Sequence, residues 1–150
     1  SEDEYIKEAL SWFADNGHPL EDTDTNRQIL LSLRERITSF SELKEKTDLF
    51  FSDSIGYYSA EAQDWIQKDN SKELFNIVLK KLDNYSEISL DTFRKLMKEV
   101  QSESGLKGKD LWMPMRAAMT GMTEGPELPM VIQILGKEKM ISFLKQAINR

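Results

Sequence analysis

The residues that could support chemistry in this chain fall into a few small groups. Asp22, Asp24 and Asn26 have the spacing of the first three ligands of a calcium-binding loop. However, Arg27 stands where such a loop needs glycine at its sharp turn, and Leu33 where it needs a bidentate glutamate. We therefore predict no metal site here. Instead, we predict an acidic loop before a helix, because anionic side chains stabilise the positive amino end of a helix.

Catalytic motifs are not recognisable in the sequence. His18 is the only histidine and stands between Gly17 and Pro19, so we interpret it as a turn residue rather than an acid–base group. Both Gly-Lys pairs, at 108–109 and 136–137, lack the earlier glycine and the following Ser or Thr of a phosphate-binding loop. Because the chain has no cysteine, it has no disulfide, thiolate ligand or cysteine nucleophile, which fits a reducing compartment. The sequence predicts no catalytic residue.

Positive charge is concentrated near the carboxyl end. Residues 1–104 hold 13 Lys and Arg against 22 Asp and Glu, whereas residues 105–150 hold 7 against 4. Although the net charge is −6, contact with a polyanion depends on the local potential within a Debye length. We expect any nucleic-acid site in the last third, where Trp112 beside the basic turn 105–109 could stack on a base. A chance asymmetry of charge is the alternative reading.

The elements that would position these residues are helices, because apolar side chains recur with a period near 3.6. Ser39 with Glu42 has the spacing of a capping box, and Ser59, Ser71 and Ser89 (or Asp91) are predicted helix caps. Gly105 and Gly121 are predicted to end helices, and Gly136 to separate two. Pro114 suits the first turn of a helix. Met115, Met119 and Met122 are interpreted as core residues.

These patterns predict an all-α protein of two consecutive helical-bundle lobes, residues 1–58 and 59–150, with a break in the helical pattern at 52–56. The apolar runs are too short to span a membrane, and no secretory signal leads the chain. We therefore expect a soluble, cytoplasmic protein.

The last third also resembles a known family. Its runs are GLKGK at 105–109, LWMPMRAAMTG at 111–121, GPELP at 125–129 and ILGKE at 134–138. Together they resemble the carboxyl-terminal signature of bacterial-type glutamyl-tRNA synthetases, and LRERIT at 33–38, SEL at 41–43 and FF at 50–51 resemble its upstream part. The family's catalytic motifs have no counterpart here, so the resemblance implies the anticodon-binding region. It implies a monomer that binds the anticodon loop of tRNA(Glu), with ATP and magnesium used by a catalytic domain in cis.

The resemblance also implies roles for individual residues. Those implied to contact the anticodon are Arg116, Thr120, Gly125, Pro126 and Leu128 in the second lobe and Arg36 (or Arg34) in the first. Physically, the planar guanidinium of an arginine can hydrogen-bond base acceptors or phosphate, and the start of a helix offers amide donors. Lysines implied to contact phosphates are Lys107, Lys109 and Lys137.

Other readings of the same residues stay open. Arg116 could form a structural ion pair with Glu124 or Glu127, and Gly125-Pro126 could be only a helix start. The whole chain could be a helical protein-interaction module that does not bind RNA.

Overall fold

The computed structural model describes residues 1–17 and 19–150, apart from the side chain of Glu45, and these residues form helices and connecting loops with no strand. The predicted all-α class is therefore confirmed. The α-helices are α1 (Glu2–Asp15), α2 (Asp24–Leu33), α3 (Phe40–Phe51), α4 (Ala60–Gln67), α5 (Asp69–Leu82), α6 (Leu90–Ser104), α7 (Lys109–Thr120) and α8 (Leu128–Ile148). A short 3-10 helix, Arg34–Arg36, follows α2. His18, interpreted above as a turn residue, lies outside the described residues.

The helices form two compact units, Ser1–Phe51 and Ser52–Arg150. The division falls at the predicted break in the helical pattern and before the lobe boundary predicted after residue 58. Its physical cause is the pairing of Ile55 with Gln146 on α8. The Ile55 N–H donates to Oε1 of Gln146 at 2.8 Å, and Nε2 of Gln146 donates to the Ile55 carbonyl at 2.7 Å. Residues 52–58 therefore belong to the second unit.

The first unit is a three-helix arrangement whose acidic loop has a structural role. Asp22 accepts hydrogen bonds from Nε and Nη2 of Arg27 at 2.5 and 2.9 Å. The hydrogen bond from Arg27 lowers the pKa of Asp22. This bidentate pair engages the first carboxylate of the calcium-like spacing. The buried side chains of this unit include Ile6, Phe13, Leu30, Leu33 and Leu43.

The helix starts test the predicted caps. Ser59 accepts from the N–H of Ala62 at 3.1 Å, and Ser89 forms a reciprocal capping box with Thr92. The predicted capping box of Ser39 and Glu42 differs in one detail. The carboxylate of Glu42 accepts a hydrogen bond from the N–H of Thr38 at 2.9 Å rather than from the N–H of Ser39. That backbone hydrogen bond lowers the pKa of Glu42.

Two positional predictions in the second unit are wrong. Ser71 does not cap a helix, because α5 begins at Asp69 and buries Ser71 inside it. Pro114 lies in the interior of α7 rather than in its first turn, because the helix already starts at Lys109 after Gly108. Pro114 is buried, on the side of α7 that packs into the core.

The second unit is closed by α8, which has a non-helical residue inside it. Gly136, with φ 80° and ψ 174°, interrupts the helix where two helices were predicted to meet. The buried residues on the two sides of this kink include Val131, Ile132, Met140, Phe143 and Leu144. None of the helices described here combines the length and the hydropathy needed to cross a bilayer.

Candidate nucleic-acid interface

Helix α7 carries one predicted RNA-contacting face and one core face. Lys109, Arg116 and Thr120 are seven and four residues apart, so the 3.6-residue period places them on one face of the helix. The opposite face is buried in the unit. Its members are Leu111, Pro114, Met115, Ala117, Ala118 and Met119. Helix α7 is thus held rigidly by packing while its polar face stays at the surface.

Arg116 is fixed against the loop that follows α7. Its Nη1 donates a hydrogen bond of 2.7 Å to the carbonyl of Pro126. A Cβ built on Gly125 would lie 3.5 Å from the same Nη1, so the guanidinium lies directly against the Gly125-Pro126 elbow. The structure therefore brings together Arg116, Gly125 and Pro126, three of the residues that the sequence predicted. All three are half-buried, between core and solvent.

Thr120 holds the beginning of the same loop. Its hydroxyl donates to the carbonyl of Arg116 at 2.8 Å and accepts from the N–H of Met122 at 3.1 Å. Further along, the hydroxyl of Thr123 bonds to the carboxylate of Glu61 on α4 at 3.1 Å. The hydroxyl of Thr120 is therefore hydrogen-bonded within the chain at the start of this loop.

The start of α8 differs from the expectation. The helix begins at Leu128 after Glu127, not at Gly125-Pro126, so the elbow precedes the helix. Pro126 and Pro129 have no N–H group, which leaves fewer backbone donors there than predicted. Leu128, which the resemblance implies to contact the anticodon, is only 4% exposed.

The predicted phosphate contacts lie at two places. Lys107 and Lys109 are exposed at the turn into α7, and Lys137 is partly exposed directly after the Gly136 kink.

Arg36 belongs to the first unit, where it is exposed at the end of the 3-10 helix. The alternative candidate there, Arg34, places its guanidinium 5.1 Å from the centre of the Tyr5 ring.

Two aromatic or apolar side chains near α7 are more exposed than the rest of the core. Trp112 is 38% exposed, with its ring centre 6.3 Å from that of Phe93. Met122 is 39% exposed, so the prediction that it faces the core is wrong, because the helix has already ended at Gly121. Met115 and Met119 are fully buried, as predicted.

Sequence reasoning missed a segment that supports the end of α7. The carbonyl of Gly121 accepts a hydrogen bond of 2.8 Å from the N–H of Ser59. A Cβ at Gly121 would meet the carbonyl oxygen of Tyr57 and would lie 2.9 Å from Cγ2 of Ile55. We call residues 52–59 the strap, because they pass directly over this helix end. The sequence signal that could have revealed the strap is the apolar pair Ile55 and Tyr58, which are three residues apart and both buried.

This helical fold is found in solved aminoacyl-tRNA ligases. A glutamate tRNA ligase from Elizabethkingia meningosepticum, solved in complex with its amino acid, matches 99% of the chain with a TM-score of 0.81 at 19% identity, over 29% of its own length. Glutamate-tRNA synthetase from Elizabethkingia anophelis matches all of the chain with a TM-score of 0.76 at 19% identity. Residues 4–148 match the anticodon binding domain family. The chain belongs to this family.

Curated relatives carry names of the same kind. Glutamate–tRNA ligase 1 of Caldicellulosiruptor saccharolyticus is 33% identical over 148 residues, which are 95% of this chain. Glutamate–tRNA ligase of Bacillus subtilis (strain 168) is 38% identical over 125 residues, which are 83% of this chain. The chain spans 30% and 26% of the length of these two relatives.

Proposed function

We propose that this chain is the anticodon-recognition part of a glutamate–tRNA ligase and binds the anticodon loop of tRNA(Glu). Unpaired loop nucleotides are the part of an RNA whose base edges a protein can read directly. In this proposal Arg116 contacts base or phosphate acceptors, and the Gly125-Pro126 elbow lies against an unstacked base. Arg36 contacts the loop from the first unit, so that the two compact units are two anticodon-binding lobes.

The observation that carries the proposal is the hydrogen bond from Arg116 to the Pro126 carbonyl at 2.7 Å. It fixes a guanidinium at the surface of α7, on the same face as Lys109, in a chain of the anticodon binding domain family. A group that is already ordered loses less conformational entropy when it binds a ligand, so this arrangement suits recognition.

The remaining properties of the parent enzyme extend this proposal. ATP-dependent attachment of glutamate, with its ATP and magnesium, would be carried out by a catalytic domain in cis that these 150 residues do not contain. We further propose that the parent acts as a monomer in the cytoplasm.

The salt dependence of RNA binding tests the proposed phosphate contacts. Each phosphate neutralised by a lysine contributes about −0.7 to the slope of log K against log salt concentration for a single strand. We expect Lys107→Ala and Lys109→Ala each to reduce the magnitude of the slope for tRNA(Glu) by about 0.7. The measurement is a filter-binding or anisotropy titration of tRNA(Glu) at several potassium chloride concentrations.

Two controls make this titration specific. Lys80→Ala removes the same charge from the exposed end of α5, and we expect it to leave the slope unchanged. A non-cognate tRNA reports sequence-independent binding, and we expect the wild-type chain to bind it more weakly than tRNA(Glu). If all three lysine variants changed the slope equally, general charge rather than the predicted contacts would account for binding. If wild type bound neither RNA, the interaction-module alternative would be favoured.

A further inference from the structure

Tyr57 is the most exposed large hydrophobic side chain among the described residues, at 69%. Its neighbours in sequence are fastened to the second unit on both sides. Ile55 is paired with Gln146 through two hydrogen bonds, and the N–H of Ser59 donates to Gly121. Tyr58 is buried, with the guanidinium of Arg150 4.5 Å from its ring centre. The ring of Tyr57 is therefore held outward by an ordered backbone.

The position of Tyr57 relates it to the loop that carries the Gly125-Pro126 elbow. Its carbonyl oxygen lies directly against Gly121, the residue that ends α7 and leads into this loop. A step of five residues turns about 140° around an α-helix, so Tyr57 adjoins the loop rather than the α7 face that carries Arg116. The partly exposed Met122 is the next residue in this loop.

The chemistry of the Tyr57 side chain favours a base as its ligand. Charges of both signs lie near the strap, because the carboxylate of Glu61 is bonded to Thr123 beside this helix end and the guanidinium of Arg150 lies 4.5 Å from the ring centre of Tyr58. Stacking on an aromatic face needs no charge of either sign. Tyrosine also exposes a large apolar ring at little conformational cost, because it has only two side-chain torsions.

From these observations we infer that Tyr57 is a stacking platform for a base of the bound anticodon loop, next to the nucleotides contacted by the elbow. This inference rests on the proposed function and adds a recognition residue to it. The strap supplies the ring, and Gly121 sets its position at the end of α7.

The test is a titration of a labelled tRNA(Glu) anticodon stem–loop with wild type, Tyr57→Ala and Tyr57→Phe at several salt concentrations. Base–aromatic stacking is strong enough that we expect Tyr57→Ala to bind about tenfold more weakly. We expect Tyr57→Phe to bind within about twofold of wild type, because it keeps the stacking ring. The salt slope is expected to stay unchanged in both variants, since no phosphate contact is lost.

Tyr85→Ala is the matched control, because it removes a tyrosine whose hydroxyl bonds to Glu99 of α6 at 2.8 Å. We expect it to bind like wild type, and circular dichroism melts to show that Tyr57→Ala folds normally. Tyr57→Ala binding within twofold of wild type would overturn the inference and leave the proposed function standing. A reduced salt slope in Tyr57→Ala would also overturn it, because that would indicate a phosphate contact. Failure of wild type to bind the stem–loop would instead reject the proposed function itself.

Discussion

Replacing Arg116 with alanine is expected to weaken binding of tRNA(Glu) by about 10- to 100-fold, because hydrogen bonds to charged groups contribute about 1.5–3 kcal/mol. Two effects combine in this loss. The variant lacks the guanidinium proposed to contact RNA, and it lacks the Nη1 bond that holds the Pro126 carbonyl. The measurement is an equilibrium titration of tRNA(Glu) at fixed salt concentration.

Arg116→Lys separates charge from geometry in this experiment. Lysine keeps the positive charge but cannot present the planar, forked set of donors that arginine has. We expect Arg116→Lys to recover only a small part of the lost affinity, and Lys80→Ala, which removes one charge elsewhere, to bind like wild type. Full recovery by Arg116→Lys would mean that charge alone accounts for the contact. Wild-type affinity in Arg116→Ala would contradict the role assigned to this residue.

Replacing Gly121 with alanine is expected to lower the free energy of unfolding of the second unit by at least about 3 kcal/mol. Gly121 has φ 74°, a left-handed conformation that costs an L-residue about 1–2 kcal/mol. In addition, the new Cβ would collide with the carbonyl oxygen of Tyr57, a backbone atom that cannot move without displacing the strap. The measurement is urea denaturation followed by far-UV circular dichroism.

Gly105→Ala is an unusually close control for this substitution. Gly105 ends α6 with φ 73° and ψ 2°, and Gly121 ends α7 with φ 74° and ψ 3°. A Cβ at Gly105 would meet nothing within 4 Å. The two variants therefore share the backbone cost and differ only in the collision, so we expect Gly105→Ala to cost about 1–2 kcal/mol. Equal losses in the two variants would show that the strap yields easily and does not fix the end of α7.

The predictable part of the fold is the part governed by local periodicity and capping. The helical stripes, the Ser59 and Ser89 caps and the helix ends at Gly105, Gly121 and Gly136 depend on neighbours in sequence. The two wrong helix starts were predicted at residues that suit a helix start but lie inside a longer helix. Ser71 resembled a cap and Pro114 a helix start, but Asp69 and Lys109 begin their helices earlier.

The candidate site could likewise be predicted only in part from the sequence. The family resemblance pointed to Arg116 and the Gly125-Pro126 elbow, but not to the bond that joins them across ten residues of chain. Burial of Leu128 depends on the packing of α8 and could not be read from its motif. The strap was missed because its contact with Gly121 joins segments distant in sequence, and no local pattern specifies such a contact.

The central claim is that the α7 face and the elbow after it bind unpaired nucleotides, and amide NMR spectra during titration with the tRNA(Glu) anticodon stem–loop test it most directly. We expect the signals of residues 116–127 to shift as RNA is added, together with those of the strap at 57. Signals from the exposed side of α5, at residues 73, 76 and 80, should stay in place. Unchanged signals at 116–127, with RNA-dependent shifts confined to other helices, would contradict the claim.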